Sequence, residues 1–136
     1  MRLFLITIFL SVYTNINAQG IIVNEISNGT SGSKEFVELL VVGSTSNPTT
    51  PVDLNGWVFD DNNGEFEAST GTGVAPGHYR FVGTSPFRPG DLIVVYNSSD
   101  LNGNIIGSDE NDSNNDGVYF FPINSSFIER CGVNPS

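Results

Sequence analysis

Short apolar runs alternate with clusters of Gly, Pro, Asn and Asp along almost the whole chain, and none of the runs has the three-to-four-residue spacing of an amphipathic helix. Turn residues at such intervals end a helix before it can present an apolar stripe, so the chain must bury its apolar side chains on strands. Strands are expected at residues 21–27, 35–42, 57–59, 78–82, 91–96 and 118–121, with another beginning at Phe127 and Ile128. In residues 35–42, Phe36, Leu40 and Val42 share a face with Glu38, while Val37, Leu39 and Val41 share the other with Glu35. Apolar residues on both faces predict a central strand covered on both sides for part of its length. Pro122 should stop the strand before it or hold that strand at an edge. Short strands without helices pack best as two layers, so the expected fold class is all-β, an antiparallel β-sandwich.

Residues 52–64, Val-Asp-Leu-Asn-Gly-Trp-Val-Phe-Asp-Asp-Asn-Asn-Gly, are the stretch around which such a sandwich is organised. Asp53 and Asn55 can bond their own backbone in a turn, and Gly56 relieves the chain there. Residues 57–59 then read as a short buried strand, with Trp57, the only tryptophan, as its core anchor.

At the N-terminus, Met1 and Arg2 precede an apolar run over residues 3–12 and a polar segment ending at Ala18, the layout of a secretory signal peptide. Residues 1–18 are thus expected to be removed, leaving Gln19 first, residues 19–130 as one sandwich domain and 131–136 as a tail or truncation point. The leader run is too short for a transmembrane helix, and no other stretch approaches one. The expected product is secreted or at the cell surface, without a membrane span. Losing Arg2 takes the formal charge from −10 to −11 and leaves Lys34, Arg80, Arg88 and Arg130 against 15 acidic residues. Such a surface repels phosphate backbones and argues against direct nucleic-acid binding. Cys131 is the only cysteine, so it is either a free thiol or has a partner outside this chain.

Three blocks in order, Ile22-Val23-Asn24-Glu25-Ile26, Glu35-Phe36-Val37-Glu38-Leu39 and Val52-Asp53-Leu54-Asn55-Gly56-Trp57-Val58-Phe59-Asp60-Asp61, resemble the opening half of a lamin-tail domain. Pro76-Gly77-His78 and residues 91–96 continue the likeness, which covers roughly residues 21–121. With an export signal in front, the chain is most similar to the secreted bacterial branch of that family. The resemblance implies an immunoglobulin-like sandwich serving as an interaction or accessory module in a larger exported or cell-surface protein, its partner an unidentified protein or surface ligand. Lamin-tail domains have further strands after the region matching residues 118–121. That departure implies a C-terminal truncation that has cost Cys131 its disulfide partner, or else a complete smaller sandwich.

Asp112-Ser113-Asn114-Asn115-Asp116-Gly117 carries the sharpest chemical pattern, the first half of a calcium loop. Calcium takes oxygen ligands from alternate positions and glycine where the loop turns, so Asp112, Asn114 and Asp116 are the candidate ligands of a calcium ion. Position twelve is Ile123 where an EF-hand has a bidentate Glu, and no helices flank the loop, which excludes an EF-hand. Asp109, Glu110 or a backbone carbonyl would complete a looser site, and a plain Asx-turn loop is the competing reading. Weaker oxygen clusters are Asp60, Asp61 and Asn62, and Asp100, Asn102 and Asn104.

For catalysis, Glu25, Glu35 and Glu38 are the carboxylates from which a glycoside hydrolase would draw a pair, with Glu25 and Glu38 brought together by neighbouring strands. His78 stands alone at a strand start, and Cys131 has only Arg130 as a basic neighbour, poor grounds for a reactive thiolate. The sequence therefore favours a non-enzymatic module, with a small secreted hydrolase using Glu25 and Glu38, or a calcium-dependent adhesin, as alternatives. N-x-[ST] triplets at Asn28, Asn97, Asn111 and Asn124 would carry glycans only in a eukaryotic secretory pathway.

Overall fold

The computed structural model describes residues 20–27, 34–59, 79–99, 102–105 and 107–130. Residues 1–18, expected to be a leader, and Asp60 to Asn62, His78, Asp100 and Cys131 lie outside them. Seven strands run in order: β1 (Gly20–Ser27), β2 (Phe36–Val42), β3 (Val58–Phe59), β4 (Tyr79–Phe81), β5 (Leu92–Tyr96), β6 (Val118–Pro122) and β7 (Ile128–Arg130). They form a four-stranded sheet, β1-β2-β5-β6, and a three-stranded sheet, β3-β4-β7, so the chain is an all-β sandwich. Among the described residues no helix is long and apolar enough to cross a membrane.

Between the sheets lies one core. Leu39 and Val41 of β2, Ile93 and Val95 of β5 and Phe121 of β6 meet Phe81 of β4, Ile128 of β7 and the connecting residues Val52, Leu54 and Phe87. Phe81 is fully buried and touches the rings of Phe59, Phe87 and Phe121, with centroids 5.4, 6.5 and 6.2 Å away. Edge-on and tilted contacts at these separations add to the stabilisation from area alone.

β2 sits between β1 and β5, as its two apolar faces require. Leu39 and Val41 enter the main core, while Phe36 points the other way onto a second cluster of Val94, Tyr96 and Ile105. That outer cluster explains one departure from the expected antiparallel sheets. β5 and β6 pair in parallel, from Leu92 opposite Val118 to Tyr96 opposite Pro122. Parallel neighbours need a long crossover, and the polar stretch 97–117 supplies it. Ile105 fastens the crossover to the outer face of the sheet. Its return meets the β6 edge at one point, where Asp109 and Phe120 exchange backbone hydrogen bonds at 3.1 and 3.0 Å. Pro122 ends β6 at that edge, as its missing N–H dictates.

The largest correction concerns Trp57. It is 39% exposed, and the core anchors of its segment are Val52 and Leu54, at 3% and 0%. Local chemistry is the cause. Asp53 Oδ1 accepts the Asn55 N–H at 2.9 Å, the Trp57 N–H returns to the Leu54 carbonyl at 2.9 Å, and Gly56 takes φ +84°. A turn with a left-handed third residue reverses the chain between Leu54 and Trp57. Leu54 therefore points inward and the indole lands on the rim, over Gly20, where a Cβ would come within 2.8 Å of Trp57 Cη2. The expected buried strand shortens to Val58–Phe59, with Val58 exposed and Phe59 half-buried.

Candidate functional site

The acidic loop folds around Arg88. An Arg88-Pro89-Gly90-Asp91 turn, with Gly90 at φ +97°, sends the Asp91 N–H to the Arg88 carbonyl and the Arg88 N–H to Asp91 Oδ2, at 2.9 and 2.7 Å. Proline then left-handed glycine is the sequence that this turn favours, and it sets the Arg88 and Asp91 side chains next to each other. Asp112 comes to them from the crossover, with Oδ2 accepting from Arg88 Nη2 at 2.7 Å and Oδ1 accepting the Gly117 N–H at 3.0 Å. Both carboxylates are buried. Gly117, at φ +79°, fits close beside them, since a Cβ there would stand 3.4 Å from Asp91 Oδ1. The Arg88 pKa is raised, first by the charge of Asp91, with Tyr119 and Asp112 adding to it. Burial pushes the Tyr119 hydroxyl up, and the charges of Asp91 and Asp112 act in the same direction.

This arrangement divides the three candidate calcium ligands. Asn114 and Asp116 stay together at the surface, where Asn114 Nδ2 donates to Asp116 Oδ2 at 2.9 Å and the Asp116 N–H returns to Asn114 Oδ1 at 3.1 Å. Asp112 instead turns inward to a guanidinium. Asp109 caps the loop by accepting the Ser113 N–H at 2.9 Å, which holds its carboxyl below the usual carboxylate range. Asn102 likewise accepts the Asn104 N–H at 3.1 Å in an Asx turn. Among the described residues no three Asp, Glu, His or Cys side chains are grouped as a metal ligand set.

A second carboxylate pair forms at the opposite edge of the large sheet. Glu25 of β1 stands across from Glu38 of β2, next to an irregularity between Val23 and Glu25 where Asn24 bulges. Asn24 Nδ2 donates to Glu38 Oε1 at 2.6 Å, and among the described residues neither glutamate has a Lys or Arg partner. Like charges directly opposite on a ladder are unfavourable, so the amide bond offsets only part of the repulsion. Along β1 the apolar residues Ile22, Val23 and Ile26 are exposed, as are Trp57, whose indole lies over Gly20, and the adjacent Val58.

Sequence reasoning expected neighbouring strands to bring Glu25 and Glu38 together, and the register does so; Glu35, the third candidate, lies just before β2, where its carbonyl accepts the Asn97 N–H. It missed Arg88, treated only as one of four cations. The Arg-Pro-Gly-Asp order was the available signal for that ion pair. No protein-family model matches the chain, and comparisons with curated proteins and with solved structures likewise find no match.

Proposed function

We propose that this chain is a secreted, non-catalytic, lamin-tail-like module that binds another macromolecule and serves a larger exported or cell-surface protein. The observation that supports it best is the exposure of apolar side chains along the edge strand β1 and the turn that precedes β3. Ile22 on one face of β1 and Val23 and Ile26 on the other are exposed, and the half-exposed Trp57 lies over its Gly20 end beside the exposed Val58. Apolar side chains left exposed on both faces of an open sheet edge are surface that a partner can cover. The two sheets are the frame that carries these side chains.

One observation favours a different class, because Glu25 and Glu38 are cross-strand neighbours, the carboxylate pair from which a hydrolase would draw its acid and its base or nucleophile. Incubation of the purified protein with a panel of polysaccharides separates the readings. A binding module releases no reducing sugar. Turnover that disappears in Glu38→Gln would make the chain a hydrolase and end the module reading.

A further inference from the structure

We propose that the free edge of β1 accepts an extended segment of a partner protein as an added strand, and that this segment carries a Lys or Arg beside Glu25 among β-branched apolar residues. The proposal rests on the module reading above and names the partner's chemistry. Among the described strands β1 is the one long edge left open. It runs for 8 residues without Pro, Lys or Arg, whereas β3 has 2 residues, β7 has 3, and β6 has 5, bridged at Phe120 by Asp109 and ending in Pro122. An edge strand presents backbone donors and acceptors on its outer side, and adding a strand to such an edge is a common mode of peptide recognition.

Side chains specify what the added strand should contain. Val23 and Ile26 are 58% and 67% exposed and Ile22 52%, so an incoming strand with apolar residues removes them from water. Glu25 and Glu38 form a like-charge pair with no Lys or Arg partner among the described residues, and the next strand outward from β1 is where a cation reaches Glu25. A second copy of this chain is a poor occupant: each copy carries a formal charge of −10, and its own β1 brings another glutamate and no cation.

The test uses two capped eight-residue peptides alternating threonine and valine, one with a central lysine and the other with glutamate in its place. Titration calorimetry should show the lysine peptide binding about tenfold more tightly, the ratio expected when an attractive cross-strand pair replaces a repulsive one. Glu25→Lys, an exposed change that also relieves the clash with Glu38 and so leaves the fold intact, should abolish that preference. Raised salt should shrink it. Amide hydrogen exchange over residues 20–27 should slow on binding. Binding of the lysine peptide without slower exchange in β1 overturns the edge-strand proposal and leaves the module reading standing. Failure of both peptides to bind, retention of the preference in Glu25→Lys, or a dimer that the lysine peptide does not dissociate overturns it as well.

Discussion

Trp57→Ala and Phe81→Ala distinguish a rim residue from a core residue. Phe81 is 0% exposed and Trp57 39% exposed. Removing a buried phenylalanine costs about 3–5 kcal/mol, because the lost transfer free energy is joined by a cavity that its neighbours cannot fill. For Trp57, roughly three fifths of an aromatic area of about 150–250 Å² is covered, worth about 2–4 kcal/mol at about 25 cal/mol per Å². Residual burial in the unfolded chain lowers that by about 10–40%. Solvent fills the space left on the rim, so no cavity term is added, and about 2 kcal/mol remains. Urea unfolding at constant slope measures both variants. Phe81→Leu provides a milder core comparison should Phe81→Ala fail to fold. The single tryptophan gives an independent readout, since acrylamide should quench its fluorescence in the native state nearly as well as in urea. A Trp57→Ala cost equal to that of Phe81→Ala, together with an unquenched native indole, would refute the rim placement.

Asp112→Ala should lower stability by about 1.5–3 kcal/mol, the range for a hydrogen-bonded charged group, because both the Arg88 guanidinium and the Gly117 N–H lose their acceptor; a change in urea midpoint worth under about 0.5 kcal/mol would show a solvated carboxylate. Asp109 has a depressed folded pKa, caused first by the Ser113 N–H, so its contribution is present above the unfolded value of about 4 and lost as pH falls through the folded one. The melting-temperature gap between the native protein and Asp109→Asn should therefore close on acidification, and a gap independent of pH would contradict this. Burial raises Tyr96 and Tyr119, so their stabilisation is full below about pH 10 and declines above it, which melting curves of Tyr119→Phe against the parent should register. Calcium binding would require Asp112 to exchange Arg88 for the ion, so equal melting in calcium and in chelator is expected; a rise of a few degrees that Asp116→Ala removes would establish the ion site.

Local chemistry made most of the strands legible in the sequence. Runs such as residues 91–96 and 118–121 declare themselves by apolar content and by the Gly, Asn and Pro that bound them, and each lies within about a residue of a strand in the structure. The mixed faces of residues 35–42 announced an interior strand, and Pro122 announced an edge, because both signals depend only on which groups a strand leaves to be covered or paired. Neighbouring strands likewise put Glu25 opposite Glu38. Tertiary structure decided the rest. The Asp53-to-Trp57 turn chooses which of Leu54 and Trp57 faces the core, and composition ranked the larger side chain first where backbone phase placed the smaller. Direction of pairing between β5 and β6 was equally hidden, since a parallel and an antiparallel partner share the same apolar pattern until the path of residues 97–117 is known. Asp112 shows the same limit at a site. Its spacing to Asn114 and Asp116 suits a metal, but Arg88, far away in sequence, is brought by the fold within 2.7 Å, and the nearest cation determines where the carboxylate points.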